Sequence, residues 1–372
     1  MTCVLFRRLG TALGVVSMLV GVLAGFGGSV ALAAPLTINV PCNTDSLISA
    51  INSANANTSG GTLILSPHCT YTITTPATAP TGLPVITGNV TIKGQAATIT
   101  RDSDENTPAF RIFDVAAGAT LNIDFLTISN GKSLLLGGAI QYGGTGTISN
   151  STFSGNTASS GGAITILDGA DLTVTTTSFN ENTSSGIGGG AFFLLGTAHV
   201  SRSTFLGNTA PINGGAFNVQ TSGLLTLFSS TLANNTSGGL GGAISNFGAA
   251  SLTNLTFVGN VGSDGDAIAT TNTTIRLSNS ILNDVSDHLE CHPAGTISGE
   301  YNLVSDDSCG SSPTSHVISP SHPLSLDPLQ FNGGPTQTLL PSAQSSSVID
   351  QIPVASCVAP AARALAPASS NP

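Results

Sequence analysis

Tryptophan is absent from this 372-residue chain, tyrosine occurs only at positions 71, 142 and 301, and charged residues make up 8%. Each shortage excludes something. Without Trp and with little Tyr, few flat aromatic platforms remain for stacking on sugar rings. Nine Lys and Arg against 19 Asp and Glu leave no clustered cations, which argues against nucleic acid or anionic lipid as a partner. No Gly-x-Ser-x-Gly elbow, His-Glu-x-x-His pair or phosphate-binding loop occurs. What stands in place of charge is Gly, Ser, Thr and Asn. The chain is not of disordered type, because 40% of its residues are hydrophobic and they recur in register.

That recurrence is a two-part phrase. An aromatic or Leu, two variable residues and an Asn appear as Phe153–Asn156, Phe179–Asn182, Phe205–Asn208, Leu232–Asn235 and Phe257–Asn260. A Gly-Gly-Ala-Ile-like run appears at 137–140, 161–164, 189–192, 214–217, 241–244 and, as Gly-Asp-Ala-Ile, at 265–268. Successive Asn positions differ by 26, 26, 27 and 25. A period in the twenties predicts a solenoid. The expected fold is all-β, a right-handed parallel β-helix of eight or so coils stacked roughly 4.8 Å apart. Ile128, Phe153, Phe179, Phe205, Leu232, Phe257 and Ile281 read as an interior core ladder, one rung per coil. Asn156, Asn182, Asn208, Asn235 and Asn260 read as a second ladder at a bend, where Asn tolerates left-handed backbone and stacked amides can bond from rung to rung.

The first 33 residues read as an export signal: Arg7 and Arg8, an apolar stretch from Leu9 to Phe26, then Ala31-Leu32-Ala33 as a cleavage site. The rival is an uncleaved anchor; no later segment is apolar enough to span a bilayer. Cleavage removes two Arg, leaving 7 basic and 19 acidic residues, a net charge of 7 − 19 = −12. Export permits disulfides. Cys42–Cys69 and Cys291–Cys309 are the sequence-local pairings, with metal binding as the alternative, and Cys357 is left unpaired.

Residues 34–61 read as an N-terminal cap. Its helix runs from about Asp45 to Asn55, with Leu47, Ala50, Ile51 and Ala54 on one apolar face and Asn43, Thr44 or Asp45 as N-cap. The solenoid is placed at 62–284, with about three short strands per coil. A C-terminal capping region follows at 285–352, and then an Ala/Pro/Ser tail at 353–372.

Candidate chemistry is sparse. Asp264, Asp266, Arg276 and Asp284 lie roughly one coil apart, and a polysaccharide lyase would need such carboxylates for calcium and a base to abstract a proton from carbon. Gly262–Asp266 could hold calcium, the one cofactor considered. The plainer reading is a polar bend with a solitary Arg. Asp306-Asp307 are adjacent, so on a strand they would face opposite ways rather than work as a glycosidase pair. His316 and His322 sit in a Pro/Ser loop. Asn43-Thr44-Asp45 matches a fragment of a pectin-hydrolase signature but opens the cap helix.

The repeated phrases resemble those of polymorphic outer membrane proteins, surface adhesins with β-helical passengers. More of the chain resembles a group of secreted bacterial right-handed β-helix proteins, through Leu47–Asn55, Cys69–Thr72, Gly82–Arg101 and Ala109–Val115. Tyr301–Val304, Cys309, Asp327–Leu340 and Ile349–Cys357 resemble that group's C-terminal segment, called choice-of-anchor Q. The group's closing strand has no counterpart here, which implies a truncated or frameshifted end and a Cys357 without its partner. The resemblance implies a secreted location and surface association, and carries no catalytic residue. The expected role is an exported, non-enzymatic structural or adhesion protein that contacts a cell-surface glycan or another protein. The alternative is a lyase or hydrolase of pectate-lyase-like fold.

Overall fold

Short runs of β-branched and aromatic residues, broken by small residues at fixed intervals, wind the chain into a parallel β-solenoid of about ten turns. The structure, a computed structural model, describes residues 34–284, 288–310, 314–317, 324–334, 336–340 and 342. The expected export signal, His322, Cys357, the 349–357 match and the 353–372 tail lie outside the described residues.

One coil shows the plan. Strands Ile140–Tyr142, Thr145–Ser149, Thr152–Ser154 and Thr157–Ser160 follow one another. Each pairs in parallel with its equivalent one coil on: Ile140 with Ile164, Thr145 with Asp171, Thr152 with Ser178, and Thr157 with Thr183. The sequence led us to expect about three strands per coil. The fourth, Thr157–Ser160, stacks with Thr183–Gly188, Thr209–Ala210, Thr236–Leu240 and Val261–Asp264 in a separate five-stranded sheet. Its Thr, Ser and Gly carry no apolar alternation, so it reads as turn.

Inside the coils the ladder packs face to face. Phe153 and Phe179 stack with ring centroids 5.0 Å apart, as do Phe179 and Phe205. Phe192 and Phe217 form a second stack at 5.2 Å. Ile128 pairs with Phe153, as the period required. Ile281 does not take the last rung: Leu282 pairs with Phe257 and is fully buried, while Ile281 is only half-buried, against the Leu303 and Leu324 cluster. The reason is a missing bend residue. Phe257 stands three residues before Asn260, but Leu282 stands two before Asp284. Losing one residue reverses which neighbour points inward.

The bends also differ from expectation. The ladder Asn residues are not left-handed. The residue before each of them is: Gly155, Glu181, Gly207, Asn234 and Gly259 have φ between 53° and 64°. Turning the preceding residue leaves each Asn free to aim its side chain into the coil. At the Gly-Gly bend the first residue is left-handed, as at Gly189 (φ 71°). The second lies under the next coil, where a Cβ on Gly190 would fall 2.1 Å from the Gly215 carbonyl oxygen.

The N-terminal end is closed by a helix, Thr44–Ala56, which buries Leu47, Ala50, Ile51 and Ala54 as the pattern predicted. Asn43 is the N-cap, accepting from the Ser46 N–H at 3.1 Å. The Cys42–Cys69 disulfide ties the helix entry to strand Thr70–Ile73. The preceding strand, Leu36–Val40, is already the first rung, pairing with Gly61–Leu65.

At the other end, parallel pairing continues past Asp284. Cys291–Ser298 pairs with Ile268–Arg276, Leu303–Val304 with Ile281–Leu282, and His316–Val317 with Leu303–Val304. The repeat phrase fades there because its Gly pair is required only beneath another stacked bend. Cys291–Cys309 closes this last turn. Beyond it, Gln330 and Thr338 exchange backbone hydrogen bonds in a hairpin. The hairpin lies back on the solenoid's flank: Thr204 Oγ1 donates to the Gln337 carbonyl (2.7 Å), and Thr336 Oγ1 to the Arg202 carbonyl (3.2 Å).

Candidate functional site

Among the described residues, the Asn ladder is an extended buried polar array of repeated hydrogen bonds. From Asn182 onward each Asn Oδ1 accepts twice from the Asn one coil below, from its backbone N–H and from its Nδ2, while on the first rung Asn156 Oδ1 accepts from the Gly131 N–H. For Asn208 these contacts come from Asn182, at 3.1 and 3.0 Å. Asn208 Nδ2 then donates to Asn235 Oδ1 (2.9 Å) and back to the Phe179 carbonyl (3.0 Å). Asn156, Asn182, Asn235 and Asn260 repeat the scheme. All five are buried. A buried amide is tolerated when every donor and acceptor is used, so these residues hold coils together and are not open to a ligand.

A parallel ladder escaped the sequence reading. Ser151, Thr177, Ser203, Ser230 and Ser280 sit at the bend before the Phe strand. There Ser203 Oγ accepts from the Thr177 N–H (3.2 Å) and Ser230 Oγ from the Ser203 N–H (3.1 Å). Their spacing of 26, 26, 27 and then 50 residues, with Leu255 between, was the available signal.

The four residues proposed for chemistry are scattered. Asp264 is exposed on the five-stranded sheet. Asp266 is fully buried in the Gly-Gly bend, where Oδ1 accepts from the Gly262 N–H (2.9 Å) and lies 3.5 Å from His288 Nδ1. Arg276 is exposed on a different sheet, between Ser251 and Ser298. Asp284 is the last rung of the ladder, accepting from the N–H of Asn260 (2.8 Å) and from its Nδ2 (3.2 Å). Among the described residues no three His, Cys, Asp or Glu converge in a geometry that could hold a metal. Asp306 is occupied by the Glu290 N–H (2.9 Å) and the Ser308 N–H (2.8 Å), and Asp307 and His316 are exposed.

Glu290 is the residue that sequence reasoning missed. It is buried, its Oε1 accepts from the Asp284 N–H (2.7 Å) and the Ser305 hydroxyl, and its Oε2 is buried without a hydrogen-bond partner. Burial pushes Glu290 from the ordinary 4.5 up to about 7. Burial and the neighbouring Glu290 charge push Asp284 well above the usual carboxylate range. A raised carboxyl pKa means the folded state keeps a proton that the unfolded state has released. Stability therefore falls as pH rises from about 4.5 towards 7 and stays low above it, by on the order of 3 kcal/mol. Asp284→Asn keeps the acceptor and restores the rung's usual amide. We expect it to raise the melting temperature at about pH 8 by several degrees and little at pH 5. Equal shifts at both pH values would refute this assignment.

No protein-family model matches the chain, and no curated protein matches it.

Proposed function

We propose that the chain is an exported, non-enzymatic β-solenoid with a structural or adhesive role at the cell surface. This is the role implied by its resemblance to polymorphic outer membrane protein repeats and the choice-of-anchor Q group. The observation that carries the reading is the outer face of the long strands. There Asn122, Thr147, Thr173, His199, Thr226, Ser251 and Arg276 form one column in strict register. Coils roughly 4.8 Å apart thus present a flat row dominated by hydroxyls. Such a row suits many weak, repeated contacts with a polar polymer, whose affinities combine by effective concentration. A surface glycan is the partner class of choice; a protein is the other. The enzymatic alternative fits less well, because Asp266 and Asp284 are consumed within the fold and Arg276 has serine neighbours in its column.

The test is binding to whole cells and to a glycan array, alongside incubation with polygalacturonate and calcium. We expect binding without turnover, weakened at least severalfold by Thr147→Arg combined with Thr173→Arg, which roughens the face while leaving the interior intact. Unsaturated uronate products that vanish with Arg276→Ala would overturn the reading.

A further inference from the structure

Every interior rung of the Asn ladder passes its hydrogen bonds to an uncharged amide. The final rung passes them to an acid. Asn260 donates to Asp284, the Asp284 N–H donates to Glu290 Oε1, and the Glu290 N–H donates to Asp306 Oδ2. The Glu290 Oε2 is buried and no N–H or O–H donor is aimed at it. Asp284 and Glu290 are both buried, and the Asp284 N–H reaches the Glu290 carboxyl directly, so ionising both acids would set two charges side by side away from water.

These three acids belong to three successive passes of the last turn. Asp284 follows strand Ile281–Asn283, Glu290 precedes Cys291–Ser298, and Asp306 follows Leu303–Val304. The charged neighbour that Glu290 feels besides Asp284 is Asp306, another acid. His288, two residues away, turns its Nδ1 to Asp266.

We propose that the Asp284–Glu290 pair is a proton-operated latch, which holds the last turn of the solenoid shut while the two carboxyls share a proton and loosens it when both are charged. Two neighbouring carboxylates in a water-poor site repel strongly. Glu290 gains water only if the pass from 290 onward lifts from the coil below. The Cys291–Cys309 disulfide tethers the lifted turn, so the opening is local and reversible.

Hydrogen exchange of the full chain, compared as protection factors at about pH 5.5 and pH 8.5, tests this. Amides of 281–284 and 290–304 are expected to lose about tenfold or more of their protection at the higher pH, as a shared proton is withdrawn. Amides of 179–208 are expected to keep theirs. Asp284→Asn and Glu290→Gln each leave one buried carboxyl and are each expected to diminish the pH response of the last turn, and the double variant to abolish it; if the double variant fails to fold, a diminished response in either single variant suffices. Equal protection at both pH values, a uniform loss along the solenoid, or a pH response that survives undiminished in the folding variants would overturn the latch.

Discussion

Asn208→Ala is expected to destabilise the protein by about 2–6 kcal/mol. The substitution removes no large apolar surface. Its effect comes from what remains behind: the Asn182 N–H and one proton of Asn182 Nδ2 lose their partner at once, and the Phe179 carbonyl loses one of its donors. Both orphaned groups lie in the closed interior, and each costs about 1–3 kcal/mol. Asn180, two residues before the next-lower rung, is the control. It has the same chemistry but points outward and is half-buried, so Asn180→Ala is expected to cost only about 0.5 kcal/mol. Chemical denaturation of both variants checks the prediction. A similar loss for the two would show that the ladder contributes nothing beyond ordinary polar contact.

Gly190→Ala is expected to cost on the order of 3 kcal/mol or more, or to prevent folding. The added Cβ would meet the Gly215 carbonyl oxygen at 2.1 Å and both the N and O of Thr209 at 2.6 Å. All of these are backbone atoms of the next coil. No side chain can swing away, so two coils must separate at a point where hydrogen bonds fix their spacing. Gly118→Ala provides the contrast. Gly118 has φ 77° and nothing within 4 Å of the added atom, so its cost is backbone strain alone, about 1 kcal/mol. Soluble yield and thermal melts followed by circular dichroism compare the two. A Gly190 variant that melts no lower than the Gly118 variant would contradict the steric account.

Much of this fold could be read from the sequence, because a solenoid writes its long-range contacts as local repetition. Phe179 meets Phe205 for the same reason that Phe153 meets Phe179, so one phrase foretells many contacts. The cap helix and both disulfides were legible for similarly local reasons: an apolar face at helical spacing, and cysteines close in sequence at either end. Three things were hidden. The fourth strand of each coil has neither alternation nor β-branched density. The backbone sign at the Asn bend belongs to the preceding residue, whose identity varies from Gly to Glu to Asn. The final turn has no full phrase to continue, so neither the dropped residue that exchanges Ile281 for Leu282 nor the burial of Glu290 leaves a periodic trace. Asp284 was visible, but in the wrong role. Its place in step with the Asn series marked a rung, and its charge drew it instead into a candidate catalytic group.

The hairpin around Gln330 and Thr338 alters how tension would enter the molecule. A simple spiral pulled at its C-terminal end unwinds from the outermost loop, one loop after another. Here Thr336 and Gln337 are fastened to Arg202 and Thr204, and four strand pairings, through Thr231, Thr256 and Ile281, separate Thr204 from Leu303. Load drawn through the tail reaches the middle of the rod before its end, and the outer loops remain slack until that fastening shears. For a solenoid loaded from this end, the fastening would serve as a strain relief.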